Sequence, residues 1–349
     1  MKINRQETEQ LNTMLLNSAR TVIVTHMRPD GDAMGSSTAM YHYLKHHTTA
    51  DVRIVLNDRF QHTLDFLTEG PLVHDMHIFI EDSKSATDSI ADADLLICLD
   101  FNAFHRTDNL CPLLESSTAA KVLIDHHLNP DTSSFDLIFS NPEISSTCEL
   151  LYQILMAMPQ IGNDATRLPK ETATSLMTGM TTDTNNFANS VYPSTMLMAS
   201  ALLGAGVDRD NIIDKLYNQH SESRLRLMGH LMKDLLSITS DGAAYIILDK
   251  KTQDEYNVQE GDTEGFVNMP LSIAKVRMSI LIKEDSGRLR VSIRSRKGTS
   301  ANKCARMHFN GGGHENAAGG RLEIPVEAAA EYIEKHVHDY LIEEDEKND

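Results

Sequence analysis

The segment at residues 21–37, TVIVTHMRPDGDAMGSS, constrains the fold more than any other part of the chain. Its first five residues are apolar or β-branched, as is typical of a buried strand. His26, Asp30 and Asp32 follow within seven residues. Carboxylates and an imidazole crowded at the end of a buried strand repel one another and lose hydration, so such a cluster persists mainly where a cation neutralises it. A helix-forming run then begins at Ala33, and the segment predicts a strand, a metal-type loop and a helix in succession.

Length and composition indicate a two-domain protein without a membrane segment. At 349 residues the chain exceeds the size of one ordinary hydrophobic core. Its apolar fraction is 41%, and no run approaches the roughly 20 apolar residues that a membrane helix needs. The first ten residues lack the basic and then apolar pattern of a signal peptide. Because the four cysteines (Cys98, Cys111, Cys148 and Cys304) include no CxxC spacing, we expect reduced thiols and a cytoplasmic location.

The charge of the chain is unevenly distributed. The formal net charge is −18 at pH 7, which argues against a protein that coats long nucleic acid. Residues 275–306 nevertheless hold ten Lys or Arg and two acidic residues, a local charge of +8 that leaves −26 for the rest. A basic segment in an acidic protein suggests one place that holds a small anionic substrate. A solvated strand face is the plainer explanation of the same pattern.

Apolar runs alternate with helical patterns over the first half of the chain, which predicts an α/β fold with a doubly wound, mostly parallel sheet. The strands are predicted at residues 21–25, 52–56, 93–99, 121–124 and 135–139. Ligands of such sheets bind beyond the carboxyl ends of the strands. His26, Asp100 and the triplet Asp125-His126-His127 each follow a predicted strand directly. We therefore expect three strands to deliver metal-type side chains to one edge of the sheet.

The pattern changes after a long helical run at residues 221–238, which we interpret as a linker helix. Strands are predicted beyond it at 243–248, 276–282 and 288–293, and the last two are joined by the hairpin signal Glu284-Asp285-Ser286-Gly287. A closing helix is predicted at 326–342. The predicted domains are a metal-binding domain at 1–215, the linker helix at 216–238 and a smaller C-terminal α/β domain with a mixed sheet at 239–349.

The residue types at the predicted sheet edge favour hard divalent cations. A lone aspartate after a strand is most often a turn residue, but here carboxylates and imidazoles are dense, and Asp183 adds another at the end of a predicted helix. Such oxygen and nitrogen donors are typical of sites for Mn²⁺ or Mg²⁺, whereas structural zinc sites are rich in thiolates. A pair of these ions about 3.5–4 Å apart clamps a phosphoryl group and activates water. The pattern therefore points to hydrolysis of a phosphate ester.

A second chemical stretch is Gly311-Gly312-Gly313-His314, which we predict to be a loop because three glycines make a poor element interior. Glycine amides can form an anion-binding nest, although most glycine runs are plain turns. Arg294, on a predicted strand, is a natural bidentate partner for a phosphate or a terminal carboxylate, and spacing alone does not separate it from Arg296. This region is therefore a candidate site for an anionic substrate.

In their order, these residues resemble the motifs of the DHH phosphoesterase family. The similar stretches are His26-x-x-x-Asp30-x-Asp32, then Asp100, then Asp125-His126-His127, then Asp183. TEGFVN at 263–268, VSIRS at 291–295 and GGGHENAAGG at 311–320 resemble the DHH-associated C-terminal domain of the same family. The two-domain layout is similar to the short, stand-alone nanoRNase/pAp-phosphatase branch, which is related to RecJ.

This resemblance implies a role for each matching position. One metal ion would be held by His26 and Asp30, and a second by Asp32, His126 and Asp183. Asp100 would bridge the two ions, Asp125 would orient His126, and His127 would contact the scissile phosphate. The far phosphate and terminal nucleotide would be held by Arg294, Gly311, Gly312, Gly313 and His314. The family also implies two Mn²⁺ ions, with Mg²⁺ or another divalent ion as an alternative, an active site between the domains and a homodimer.

The resulting hypothesis is a phosphodiesterase and phosphatase that cuts short oligoribonucleotides to mononucleotides and converts adenosine 3′,5′-bisphosphate to AMP. A phosphodiesterase for cyclic or linear dinucleotides is the main alternative. A polyphosphatase or pyrophosphatase and a non-catalytic nucleotide sensor are weaker ones, because the GGGH stretch differs from the pyrophosphatase type and all six ligand positions are filled. The expected partners exclude long nucleic acid and membranes. Arg28 and Met269-Pro270-Leu271 depart from what relatives commonly carry.

Overall fold

A computed structural model describes residues 4–259, 261–285 and 287–348, with side chains described as far as residue 342. By its internal contacts the chain divides into two compact units, Met1–Gln219 and His220–Asp349. Each unit is described by itself below. The domain boundaries at residues 215 and 238 stay a prediction.

The first unit is built on a six-stranded sheet in the order β3-β2-β1-β4-β5-β6, and every pairing within it is parallel. Its strands are β1 (Arg20–Thr25), β2 (Asp51–Leu56), β3 (Met76–Ile78), β4 (Leu95–Leu99), β5 (Ala120–Asp125) and β6 (Leu137–Ser140). The predicted doubly wound parallel sheet is confirmed. The short edge strand β3 was not predicted, because three half-buried residues carry too little apolar pattern.

Nine α-helices accompany this sheet in the described part of the first unit. They are α1 (Arg5–Asn17), α2 (Gly31–His47), α3 (Leu72–Asp75), α4 (Ser83–Asp92), α5 (Cys111–Ser116), α6 (Thr147–Ala157), α7 (Lys170–Asp183), α8 (Pro193–Gly204) and α9 (Arg209–Tyr217). Alternate strand residues enter two separate cores, so Ile23 lies in one and Val22 and Val24 lie in the other. Both faces of the sheet are therefore covered, as continuous apolar strands require.

Two glycines let α2 and α7 approach each other closely. A methyl group on Gly35 would lie 2.7 Å from the Ser175 carbonyl oxygen and 2.9 Å from the Gly179 backbone. A methyl group on Gly179 would overlap Cys148 Sγ and come within 3.0 Å of Asp32 Oδ1. The contact brings the C-terminal end of α7, where Asp183 lies, toward the start of α2.

The second unit contains a mixed sheet in the order β11-β12-β10-β9-β8-β7, in which only the β8–β9 pairing is parallel among the described strands. Its strands are β7 (Ser237–Ile238), β8 (Ala243–Leu248), β9 (Met278–Asp285), β10 (Arg288–Ser295), β11 (Gly312–His314) and β12 (Ala317–Leu322). Its helices are α10 (Glu222–His230), α11 (Lys250–Glu255), α12 (Ala301–His308) and α13 (Ala329–Asn348). β9 and β10 form the predicted hairpin, of which Ser286 lies outside the described residues.

Short 3₁₀ segments connect several of these elements. They lie at His62–Leu67, Phe104–Leu110, Ala165–Arg167, Phe266–Ser272 and Val326–Ala328. None of the helices, over the residues whose positions are given, is long and apolar enough to cross a bilayer.

The run predicted as a linker helix is shorter than expected and belongs to the second unit. α10 ends at His230, a π-helical turn follows at Leu231–Leu235, and β7 takes up the last two residues of the run. Leu227 and Leu231 are buried in one apolar cluster with residues of β8 and β9. The apolar residues of the run therefore cover this sheet, and the run packs as part of the second unit.

The glycine stretch predicted as a loop is instead an edge strand, so that prediction is wrong. Gly312 pairs with Gly319, and Gly313 pairs with Ala318. A methyl group on Gly311 would overlap the Gly319 carbonyl oxygen. Because small residues face small residues here, the two backbones approach more closely than side chains would allow, and pairing with β12 offsets the poor strand propensity of glycine.

Candidate metal centre

The loop between β1 and α2 positions the first three candidate ligands. His26 is buried immediately after β1, with its Nδ1 2.8 Å from the Met27 carbonyl oxygen. Asp30 caps α2 and accepts hydrogen bonds from the amides of Asp32 and Ala33 at 3.0 and 3.1 Å. The sequence favours this turn because an aspartate at the N-cap accepts hydrogen bonds from the first amides of the helix, which have no carbonyl partner within it. Capping fixes Asp30 Oδ1 at 3.9 Å from His26 Nε2.

Asp32 is fixed from a distant part of the chain. Its Oδ2 accepts a hydrogen bond from the Thr147 amide at 2.6 Å, and its Oδ1 accepts one from the Cys148 amide at 2.9 Å. These amides open α6, where unpaired N–H groups and the helix dipole favour a negative charge. A carboxylate that is 1% exposed is thus held by a helix N-terminus.

Asp100 follows β4 in a left-handed conformation, with φ at 65°. A non-glycine residue in this region is strained and marks a position that its surroundings hold in place. Its Oδ1 accepts a hydrogen bond from Thr147 Oγ1 at 2.9 Å, and its Oδ2 lies 3.5 Å from His26 Nε2. Asp100 therefore presents its two oxygens to different neighbours.

His126 lies on the other side of Asp100. Its Nε2 is 3.6 Å from Asp100 Oδ1, 3.5 Å from Asp183 Oδ2 and 3.9 Å from Asp32 Oδ2. Asp183 is the last residue of α7 and reaches this point because α7 packs so closely on α2. A helix end and two strand ends thus converge on one imidazole nitrogen.

The six predicted ligands therefore come together in the first unit. Ligand atoms within 4.8 Å of one another form three groups: His26, Asp30 and Asp100; Asp32, His126 and Asp183; and Asp100, His126 and His127. Asp100 belongs to the first and the third group, and His126 links the third to the second. This is the distribution of donors that two neighbouring cations need. That these residues ligate metal stays a prediction.

Asp125 is paired differently from what the resemblance implied. Its Oδ1 lies 2.7 Å from Nδ1 of His127, so the structure pairs Asp125 with His127 where His126 had been expected. Adjacent side chains diverge at the end of β5, and the ring two positions after Asp125 is the one that turns back to it. Asp125 is fully buried, and its Oδ2 has no hydrogen-bond partner among the described residues.

The electrostatics of this cluster describe a site with an excess of negative charge. Burial together with the charges of Asp100 and Asp30 raises the pKa of Asp32 well above its ordinary value. Burial together with the charges of Asp32 and Asp30 does the same to the pKa of Asp183. Two carboxyl groups, that of Asp32 buried and that of Asp183 partly buried, are thus pushed toward their neutral form by their neighbours.

The histidines respond to the same charges. Burial lowers the pKa of His26, but contact with Asp100 and the charge of Asp30 outweigh it and raise the pKa to about 9. Burial raises the pKa of Asp100, and the neighbouring histidines, His26 foremost, lower it on balance. For His126, burial prevails and lowers the pKa. Protons on His26 therefore supply part of the positive charge that the carboxylates demand.

The donor set fits a pair of divalent cations. Carboxylate oxygens with imidazole nitrogens suit Mn²⁺, Mg²⁺ and similar ions. The raised pKa values of Asp32 and Asp183 show two groups that a cation would return to their charged form. The residues present are thus compatible with a divalent metal site.

Sequence reasoning missed the residues that hold the ligands. Asp32 accepts hydrogen bonds from the amides of Thr147 and Cys148, more than a hundred residues further along the chain. Asp100 accepts one from the hydroxyl of Thr147, 47 residues further along. A local signal for this helix start was available, because Ser146 and Glu149 have the spacing of a capping box, and Ser146 Oγ accepts from the Glu149 amide at 3.0 Å. That signal predicts the helix but not which carboxylate its amides contact.

The candidate substrate residues of the second unit share one row of its sheet. Arg294 on β10 pairs with Ala317 on β12, which in turn pairs with His314 on β11. Directly opposed residues point to the same face, so Arg294 and His314 flank Ala317 on one surface. The Gly311 amide already donates to the Ala305 carbonyl oxygen at 3.2 Å, which corrects the expectation of three free glycine amides. Substrate contacts by Gly312 and Gly313 stay a prediction.

Two family profiles match this chain. The profile described as "DHH family, N-terminal domain" matches residues 20–180, which contain β1 to β6 and most of the candidate ligands. The profile described as "DHHA1 domain" matches residues 241–341, which lie within the second unit.

Curated relatives match over nearly the whole chain. The bifunctional oligoribonuclease and PAP phosphatase NrnA of Thermus thermophilus is 28% identical over 323 residues, covering 91% of this chain and 89% of its own. The protein of the same name from Bacillus subtilis is 25% identical over 319 residues, covering 90% and 93%. A crystal structure of an exopolyphosphatase-related protein from Bacteroides fragilis has a TM-score of 0.91 and 35% identity, covering 99% of both chains.

Proposed function

This chain belongs to the DHH family and carries a DHHA1 domain, and on that premise we propose that it is a manganese-dependent phosphoesterase. Its proposed substrates are oligoribonucleotides of a few residues, cut to mononucleotides, and adenosine 3′,5′-bisphosphate (pAp), converted to AMP. The carrying observation is the convergence of seven ligand-type side chains, the six predicted ligands and His127, into three groups of donors in the first unit. Two relatives named as oligoribonuclease and PAP phosphatase, matched over about nine tenths of their length, support this choice of substrates.

The proposed ligand sets follow the distances in the first unit. His26 and Asp30 would hold one cation, Asp32, His126 and Asp183 the other, and Asp100 would contact both, because its two oxygens face the two histidines. What bound divalent cations supply at such a site is polarisation of the phosphoryl group and a bound water of lowered pKa. The helix-held position of Asp32 would keep its carboxylate in place before and after binding.

His127 has a different proposed role from that of its neighbour. Burial lowers the pKa of His127, but its bond to Asp125 and the charge of Asp100 raise it on balance. The Asp125 carboxylate thus favours a protonated, fixed imidazole at the edge of the centre. Such a ring would donate a hydrogen bond to an oxygen of the phosphate under attack.

The second unit supports a short anionic substrate. Burial lowers the pKa of Arg294, but a guanidinium remains charged at any pH of interest. Arg294 and His314 on one face of the sheet would bind a phosphate remote from the bond that is cut. The chain as a whole carries −18, so an extended polyanion would be repelled outside such a patch.

The test is a substrate panel with purified full-length protein and Mn²⁺. Labelled pApA (linear di-AMP), pAp, cyclic di-AMP, a long RNA and polyphosphate are assayed side by side, and products are separated by chromatography. We expect mononucleotides from pApA and phosphate from pAp, little action on long RNA, and loss of activity with a chelator that Mn²⁺ restores. Faster turnover of cyclic di-AMP or polyphosphate than of pApA and pAp would contradict the proposal, as would no turnover of either substrate.

Two finer points belong to the same proposal. Replacing Mn²⁺ by Mg²⁺ in the panel is expected to lower the rate, and equal rates with both ions would contradict the preference for manganese.

A homodimer is proposed from the family resemblance, and light scattering of the eluting protein is expected to give twice the mass of 38.9 kDa. A single chain mass would contradict it.

A further inference from the structure

Arg106 lies next to the candidate metal centre without being one of its proposed ligands. It belongs to the 3₁₀ segment Phe104–Leu110, which begins four residues after Asp100. Its carbonyl oxygen accepts a hydrogen bond from the Met27 amide at 2.8 Å, one residue after His26. The backbone of Arg106 is therefore tied to the loop that carries the first candidate ligands.

The side chain of Arg106 is half-buried and has no carboxylate partner among the residues that the structure describes. Arg59, which follows β2, differs because its guanidinium pairs with Glu81. The positive charge of Arg106 acts on His127, where it opposes the rise in the pKa of that imidazole. The backbone bond to Met27 thus places an arginine without a carboxylate partner, among the described residues, at the sheet edge that also carries the ring proposed to contact the phosphate.

The charge balance of the metal centre suggests what the guanidinium of Arg106 would contribute to substrate binding. Asp30, Asp32, Asp100 and Asp183 together carry four negative charges when ionised, and two divalent cations would cancel them. A phosphodiester adds one negative charge to the loaded centre, whereas a phosphomonoester near neutral pH adds almost two. A neutral centre discriminates little between them by charge, so the second charge of a monoester calls for a further cation.

We propose that Arg106 binds the phosphoryl group under attack and favours phosphomonoesters over phosphodiesters at this site. The inference rests on the proposed function and deepens it, because it assigns the relative use of pAp and short RNA to one residue. A guanidinium can bind two phosphate oxygens at once through parallel N–H groups. A monoester presents three non-bridging oxygens that share almost two negative charges, whereas a diester presents two that share one, so the guanidinium is attracted more strongly by the monoester.

The test compares two substrates that share the same leaving group, the 3′-oxygen of AMP. Both pAp and pApA are cut between the 3′-oxygen of a 5′-phosphorylated adenosine and phosphorus, and only the charge and second ester of the scissile phosphate differ. The ratio of kcat/KM for pAp to that for pApA is measured with Mn²⁺ for wild type, Arg106→Gln, Arg106→Met and Arg106→Lys. Because both substrates are assayed on one sample, a loss of folded protein cancels from the ratio.

We expect the ratio to fall at least about tenfold in Arg106→Gln and Arg106→Met, the loss typical of one charge-assisted hydrogen bond. Arg106→Lys keeps the charge and is expected to hold the ratio within about threefold of wild type. The matched control is Arg59→Gln, which removes a charge after a neighbouring strand of the same sheet and is expected to leave the ratio unchanged.

The outcomes separate this inference from the function on which it rests. A wild type active on both substrates, with a ratio unchanged in both neutral variants, would overturn the role of Arg106 alone. An equal fall in Arg59→Gln would also overturn it, since any lost charge would then suffice. A wild type inactive on both substrates would overturn the proposed function.

Discussion

The two units present their functional groups in opposite ways. In the first unit, acidic and imidazole groups of the centre lie mostly buried behind parallel strands, with Asp32 1% and Asp100 2% exposed. In the second, the candidate contacts are an arginine, a histidine and backbone on an antiparallel sheet face. Burying like charges opposes folding unless something neutralises them. The comparison shows that the first unit gathers an excess of negative charge suited to a cation, whereas the candidate contacts of the second unit are cationic and backbone groups suited to an anion.

The largest expected effect follows from removing the shared ligand of the first unit. Asp100→Ala takes away the carboxylate that contacts both histidines, and we expect kcat to fall by at least about 10³-fold on both pApA and pAp. Metal content measured on the same sample should fall as well. Asp210→Ala, an exposed aspartate at the start of α9, is the matched control and should keep wild-type activity. Unchanged activity in Asp100→Ala would refute the site.

A lesion in the second unit should change binding more than turnover. Arg294→Gln removes a cation from the substrate face, and we expect KM to rise about 10-fold to 100-fold while kcat changes far less. Steady-state kinetics on pApA measure the two parameters. Arg290→Gln, four residues earlier on the same strand and face, is the control and should leave KM near wild type. If Arg294→Gln lowers kcat alone, the division of labour between the units is wrong.

The packing of helices next to the candidate centre can be tested without replacing any of the proposed ligands. Gly179→Ala forces a methyl group into Cys148 Sγ and toward Asp32 Oδ1, so we expect destabilisation of about 1–3 kcal/mol. Urea unfolding of the metal-free protein measures the free energy of unfolding. At Gly204, the last residue of α8, an added methyl group meets nothing within 4 Å. Gly204→Ala should therefore be neutral or slightly stabilising, and an equal loss in both variants would contradict the close α2–α7 contact.

The smallest expected effect concerns pH. The pKa of His26 is raised to about 9, so its contribution to stability is complete below its ordinary value of 6.5 and is lost as pH rises toward 9. Asp32 and Asp183 act in the same direction, because ionising a carboxyl whose pKa is raised costs stability as pH rises. We expect the Tm of the metal-free protein to fall by about 2–5 °C between pH 7 and pH 9.

Bound Mn²⁺ should weaken that dependence, because ligation replaces the protons with a cation. The stabilisation by metal, measured as the difference in Tm with and without Mn²⁺, should therefore grow from pH 7 to pH 9. The lowered pKa of His126 does not oppose this trend, since that ring is already neutral in both folded and unfolded chains above pH 7. A metal effect that shrinks with pH would contradict the account of the buried charges.

Local pattern was enough to predict the sheet of the first unit and the edge on which its ligands meet. β1, β4 and β5 are continuous apolar runs, and the residues after them had only one edge of a parallel sheet to occupy. What failed was set by contacts between segments or side chains, which the pattern of a single run does not reveal. Gly312 and Gly313 lie in a strand because β12 offers small residues opposite them, and Asp125 bonds His127 because of how the chain turns after β5. The Thr147 amide that holds Asp32 lies 115 residues away from it.

The most direct test of the central claim is anomalous diffraction at the manganese edge from crystals of the full chain grown with Mn²⁺. The account predicts two peaks about 3.5–4 Å apart. One should lie among His26, Asp30 and Asp100, and the other among Asp32, Asp100, His126 and Asp183. A fully loaded crystal with no peak at these residues, or with a single ion that leaves Asp183 and His126 uncoordinated, would contradict it.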